Sequence, residues 1–209
     1  MRAGVGVTVV RELRRMTAAR AAARPAPPPD ERCDLCGGAV AADHRHLLQL
    51  ERREILCSCE SCFALRAGEP EFRPTGRRVL WLERFLLPDE LWAGFRIPIG
   101  LAFLFRSSAS GGIVAFYPSP AGATESELEL ARWDELSAAN PVLETLETDA
   151  EGLIVNRLVE PPQAAIAPID RCYALVGLVK SHWEGINGGS GLKHTIAGFF
   201  DDLREESAP

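Results

Sequence analysis

Five of the six cysteines fall between Cys33 and Cys62, at spacings that suit a metal ion. Cys33-Asp34-Leu35-Cys36-Gly37-Gly38 has the form of a zinc knuckle. Two thiolates separated by two residues converge on one ion across a tight turn, and the glycine that follows permits the positive φ such a turn often needs. Cys57-Ser58-Cys59-Glu60-Ser61-Cys62 repeats that spacing at Cys59 and Cys62. Cys33, Cys36, Cys59 and Cys62 therefore predict a closed four-cysteine site, with zinc as the expected ion. Iron or an iron–sulfur cluster is the alternative, because thiolates suit both. The segment also holds more donors than one ion needs. Cys57, His44 and His46 are alternate ligands, so a site of three cysteines and one histidine is a second option. For the two histidines, a place at the surface or beside the ligands is the competing reading.

A site closed by four cysteines leaves no coordination position for water or substrate. Its expected work is to fold a segment too small to hold itself together, or to present a rigid surface to a partner. An open catalytic ion would need a bound water and a nearby base, and Glu60 in the second knuckle reads as a solvated carboxylate. Elsewhere the chain lacks a Gly-x-Ser-x-Gly elbow, and Gly188-Gly189-Ser190-Gly191 lacks the Lys-Ser/Thr of a phosphate loop. Cys172 falls on an apolar helical stripe and reads as a buried small hydrophobe. His182 and His194 have no acid or nucleophile at recognisable spacing and read as surface residues. The expectation is a non-enzymatic protein, with a metal-dependent enzyme using an open Cys/His site as the rival.

The elements that must position these ligands are short. Segments 47–50 and 54–57 predict a hairpin between the two cysteine clusters, followed by a loop over 68–76 and a strand over 79–82. Pro88-Asp89-Glu90 starts a short helix running to residue 93 or 95. Segments 98–105 and 113–117 are apolar and β-rich, and their continuous apolarity implies a sheet covered on at least one side. Residues 117–126 read as a rigid strand-to-helix connection, 130–139 as a helix and 153–158 as a strand. Pro168 opens a helix with Ile169, Cys172, Val176, Val179 and Trp183 on one stripe, ended by Gly185. After a glycine-rich turn, Leu192, Ile196, Phe199, Phe200 and Leu203 mark a closing helix. The predicted class is α+β: a small zinc-ribbon-like N-terminal module, then a mostly antiparallel sheet packed with C-terminal helices. The expected divisions are an Arg/Ala/Pro-rich disordered tail over 1–30, the Cys-rich module over 31–66 and the α+β domain over 67–209.

With 209 residues and 46% apolar content, the chain can bury one substantial core plus a satellite. A net charge of -6 argues against nucleic acid as the main partner. Six arginines sit in residues 1–30 against Glu12 and Asp30, so the remainder is more acidic still. No apolar run reaches bilayer length, the longest being 97–105, so no membrane span is expected. The start lacks a signal-peptide core, and the expected location is the cytoplasm, where clustered cysteines are better metal ligands than disulfides. An organelle transit peptide is the competing reading of the Arg- and Ala-rich start, and Met16 is an alternative initiator.

Cys33-Asp34-Leu35-Cys36-Gly37, the His44-Arg45-His46-Leu47-Leu48 segment, Cys57-x-Cys59-x-x-Cys62, residues 97–105, residues 116–126 and Pro168-Ile169-Asp170-x-Cys172-Tyr173 carry a resemblance. Over about residues 31–205 the chain resembles an uncharacterised, domain-of-unknown-function bacterial family. That family is typically encoded beside nickel–iron hydrogenase genes in high-GC Gram-positive bacteria. The resemblance implies an accessory role in assembly, maturation or electron transfer of a hydrogenase, with a hydrogenase subunit or another maturation factor as protein partner. It carries no established activity.

Overall fold

The computed structural model describes residues 31–126, 130–183 and 189–207. The tail expected over 1–30 lies outside the described residues, as does Gly185. Among the described residues the chain is α+β. A three-stranded antiparallel sheet of order β2-β1-β3 comprises β1 (Arg45–Gln49), β2 (Glu54–Ser58) and β3 (Phe72–Pro74), with α1 (Glu60–Arg66) between its last two strands.

A six-stranded sheet follows, of order β4-β9-β8-β5-β6-β7, with every pairing antiparallel. Its strands are β4 (Leu80–Trp81), β5 (Leu101–Ser107), β6 (Gly112–Ser119), β7 (Gly122–Ser126), β8 (Glu151–Asn156) and β9 (Gln163–Pro168). The helices are α2 (Asp89–Gly94), α3 (Leu130–Ala139), α4 (Ile169–Ser181) and α5 (Gly189–Glu206).

Both faces of the large sheet are covered, which explains why its central strands are apolar throughout instead of alternating. On β5, Leu101, Phe103 and Phe105 join the α4 and α5 stripe of Ile169, Cys172, Val176, Phe200 and Leu203. The intervening Ala102 and Leu104 face Leu91, Trp92, Phe95, Trp133 and Leu136 from α2, α3 and their flanks. Phe103 sits at the centre of the first core, its ring 5.4 Å from Phe116 and 5.2 Å from Tyr173. Cys172 is fully buried there, and burial drives its thiol pKa upward.

Several local expectations give way to longer-range pairing. The loop over 68–76 contains β3, which hydrogen-bonds along β1. Residues 117–126 are not a strand-to-helix connection but the β6–β7 hairpin. Its turn is held by Ser119, whose Oγ accepts from the Ala121 N–H at 3.1 Å and from Thr124 Oγ1 at 2.9 Å. The strand expected over 153–158 begins two residues earlier and stops at Asn156, and the strand expected over 79–82 keeps only Leu80–Trp81. The glycine-rich turn does not persist to residue 191, because α5 already runs from Gly189.

The small sheet leans on the large domain through β1. Leu48 belongs to the α4–α5 core, and Leu50 and Ile55 pack against it. Arg53 on the hairpin turn pairs with Glu125 of β7 at 2.6 Å. The chain then passes from one sheet to the other at Gly76, whose N–H donates to Ala150 O at 2.8 Å; a Cβ there would lie 2.9 Å from that oxygen.

Candidate metal centre

The first knuckle is a closed backbone turn. Cys33 N–H donates to Gly38 O and Gly37 N–H to Cys33 O, both at 2.8 Å, with Gly37 at φ 71°. Gly38 leaves room for the ligand as well, since a Cβ on it would stand 3.3 Å from Cys36 Sγ, a tight contact. Asp34 fixes this turn to β2: its N–H donates to Cys57 O at 2.9 Å, and its carboxylate accepts the Cys57 N–H at 2.6 Å. The second knuckle is the start of α1, where Cys59 is the N-cap and Cys62 lies in the first turn. Phe63 N–H donates to Cys59 O at 2.8 Å, and the Arg45 guanidinium covers the Phe63 ring at 3.8 Å.

These elements bring Cys33, Cys36, Cys59 and Cys62 together, with all four sulfurs within 4.8 Å of one another. Cys36 and Cys59 are 3.8 Å apart. That is the edge of a sulfur tetrahedron around an ion at the usual zinc–sulfur distance, about 3.8 Å for bonds of roughly 2.3 Å. It is far too long for a disulfide, and all the cysteines are free. The donor set fits a tetrahedral thiophilic ion.

The electrostatics of the ion-free cluster point the same way. Burial alone would raise the Cys33 thiol, but hydrogen bonds from the backbone of Cys59, Leu35 and Cys36 and from the Cys36 thiol outweigh it and lower the pKa to about 6. Cys62 is pushed up to about 12, first by its hydrogen bonds to Cys36 and Cys59. One sulfur is held as a thiolate by its neighbours while another keeps the proton that an ion would displace.

The remaining expected donors form a separate group. One ring nitrogen of His44, one of His46 and the Cys57 sulfur also lie within 4.8 Å of one another. His44 and His46 are not on the open surface: their side chains are 7% and 26% exposed. Burial first, then the nearby Asp34 and Glu31 carboxylates, push the Cys57 thiol up to about 11. His182 and His194 are exposed, as expected. Two residues escaped the sequence reading. Asp34 locks the first knuckle onto β2, and Asp170, on the first turn of α4, takes His46 Nδ1 at 2.9 Å. The His46–Asp170 contact spans more than a hundred residues, and no local pattern announces it.

A family model described as a family of unknown function (DUF5947) matches residues 32–207. The chain belongs to that family. The match takes in all four clustered cysteines and all of both sheets. No curated protein and no solved structure matches the chain. Among the described residues no helix is long and apolar enough to cross a membrane.

Proposed function

We propose that this chain is a non-enzymatic metal-binding accessory protein. Zinc held by Cys33, Cys36, Cys59 and Cys62 folds its N-terminal module into a rigid docking surface for a protein partner. The observation that carries this reading is the convergence of the four sulfurs within 4.8 Å of one another, with a Cys36–Cys59 separation of 3.8 Å that suits a tetrahedral edge. Four thiolates saturate the ion, so its chemistry is structural. The surface beside it supports docking: Leu65, on the helix that carries Cys62, is 69% exposed. The family resemblance supplies the partner class, a hydrogenase subunit or maturation factor.

Two measurements test this on the full chain. Metal analysis of anaerobically purified protein should find zinc in a colourless sample. Iron with visible charge-transfer bands would replace the structural reading with an iron or iron–sulfur redox protein. Affinity capture from a hydrogenase-expressing host should enrich a hydrogenase component with the intact chain and lose it with Cys33→Ser. If the intact chain enriches none, the hydrogenase role is wrong.

A further inference from the structure

The hairpin register puts a second set of donors on one face. His46 pairs directly with Cys57 across β1 and β2, so their side chains project from the same side of the sheet. His44 precedes His46 by two residues and shares that side. The two rings meet edge to face with centroids 4.6 Å apart. This is the side that also carries Leu48 and Ile55 toward α4.

Hydrogen bonding has already chosen which nitrogens are free. His44 Nδ1 donates to Ala41 O at 2.8 Å, which leaves Nε2 as the acceptor nitrogen with its lone pair available. That Nε2 is buried and has no hydrogen-bond partner. His46 Nδ1 is held by Asp170 Oδ2 at 2.9 Å, and the other oxygen of Asp170 is likewise buried without a partner. A carboxylate behind one ring nitrogen is the arrangement that orients metal-ligating histidines. Buried polar atoms are rarely left unpaired without reason. The four-cysteine centre cannot supply that reason, since its ion is saturated by sulfur. Both histidines also line a cleft of about 490 Å³ that reaches Gly76, Arg77 and Arg171.

We propose that His44, His46 and Cys57 form a second metal site, separate from the four-cysteine centre. It binds a divalent ion of the zinc class through two imidazoles and one thiolate, with Asp170 orienting His46 and the fourth position open to the cleft. Two nitrogens and one sulfur suit a borderline-soft ion. Tetrahedral spacing for such donors is about 3.3–3.6 Å, so from separations of at most 4.8 Å they draw in by no more than about 1.5 Å. Binding releases one proton, from the Cys57 thiol to solvent. Because Asp170 belongs to α4, the ion ties the hairpin to the large domain, which the four-cysteine centre does not do.

Cobalt(II) titration of the full chain tests this. Two equivalents are expected: the first with the intense sulfur-to-cobalt charge transfer of four thiolates, the second with the weaker band of a single thiolate. His46→Ala should abolish the second equivalent and leave the first, which reports that the module is still folded. Asp170→Asn should weaken the second equivalent by about 10–100-fold without changing the first. Uptake of a single equivalent that does not depend on the histidines would overturn the proposal and leave His44 Nε2 to a buried water. So would a second equivalent that survives a combined His44→Ala and His46→Ala change. If instead the first equivalent lacks the four-thiolate signature while the histidine-dependent one remains, the four-cysteine centre fails and the second site stands.

Discussion

The two sheets are held together by different means. The six-stranded sheet buries large side chains on both faces, and Phe103, Phe105, Leu104 and Phe200 are fully enclosed. The three-stranded sheet has almost no core of its own. Helix α1 buries no residue, and β1 contributes only Leu47 and Leu48 as buried side chains, the second of which belongs to the large domain's core. A unit this small does not fold by burial alone, whereas one bound ion can replace the missing apolar area. The contrast is between a region whose stability is spread over a large apolar core and one whose stability, on the proposed reading, rests on the four-cysteine centre.

Metal removal should therefore separate the regions most sharply. A structural zinc site of this kind is worth on the order of 10–16 kcal/mol near neutral pH, far more than the small sheet can supply itself. Stripping the ion, or Cys36→Ser, should abolish hydrogen-exchange protection in β1 and β2 while β5 and β8 keep theirs. Full protection of β1 without metal would erase the distinction. The sign of the pH dependence follows from the thiols. In the ion-free cluster Cys62 retains its proton up to about 12, so the ion must displace it. Affinity should then fall steadily as pH drops from about 8 to 5, with protons released on uptake. The depressed pKa of Cys33 acts in the same direction: the favourable thiolate is fully present above the ordinary 9.0 and is lost as pH falls through about 6.

The large sheet should show the opposite sensitivity. Phe103→Ala removes the ring that contacts Phe105, Phe116 and Tyr173, and should cost about 3–5 kcal/mol. At about 2–4 °C per kcal/mol for a chain of this size, thermal unfolding would show it clearly. Metal content in the folded protein should stay unchanged. Loss of the ion together with the core would mean that the two regions stand or fall as one.

What could be read from sequence divides along the same line. The cysteine spacing picks out the four sulfurs that come together, because two residues between thiolates is a local geometric demand. The α4 stripe of Ile169, Cys172, Val176 and Val179 is legible because one helical face carries it. Strand β9, Gln-Ala-Ala-Ile-Ala-Pro, is invisible by comparison. It is buried on both faces, so its small residues neither alternate nor follow a helical period. Pro118 also misleads. It falls in the segment read as a strand-to-helix connection, yet it lies within β6 and beyond the β5–β6 pairing, which ends at Phe103 and Phe116, so its missing N–H costs no bond on that side. The His46–Asp170 contact is silent for a third reason: only the docking of one region on the other creates it.

A narrower test of spread-out packing lies at Gly152. A Cβ there would stand 2.7 Å from Cys172 Sγ and 3.3 Å from Leu104 O. Gly152→Ala should destabilise the large domain by about 1–3 kcal/mol through overpacking. Adding Cys172→Ala, which removes the clashing sulfur, should recover part of the loss in denaturant unfolding. No recovery would place the strain at the Leu104 carbonyl and not at the thiol.

The smallest expected effect on stability is also the one that separates folding from function in the small module. Leu65 is exposed on a helix that buries no residue, so Leu65→Glu should change stability by less than about 0.5 kcal/mol and leave bound metal intact. A charge introduced into an apolar contact must be desolvated when a partner docks, so capture of that partner should drop sharply. If capture survives Leu65→Glu but is lost on metal removal, the partner reads the folded knuckles and not the face of α1, and the docking surface moves to the side of the module that carries Cys36.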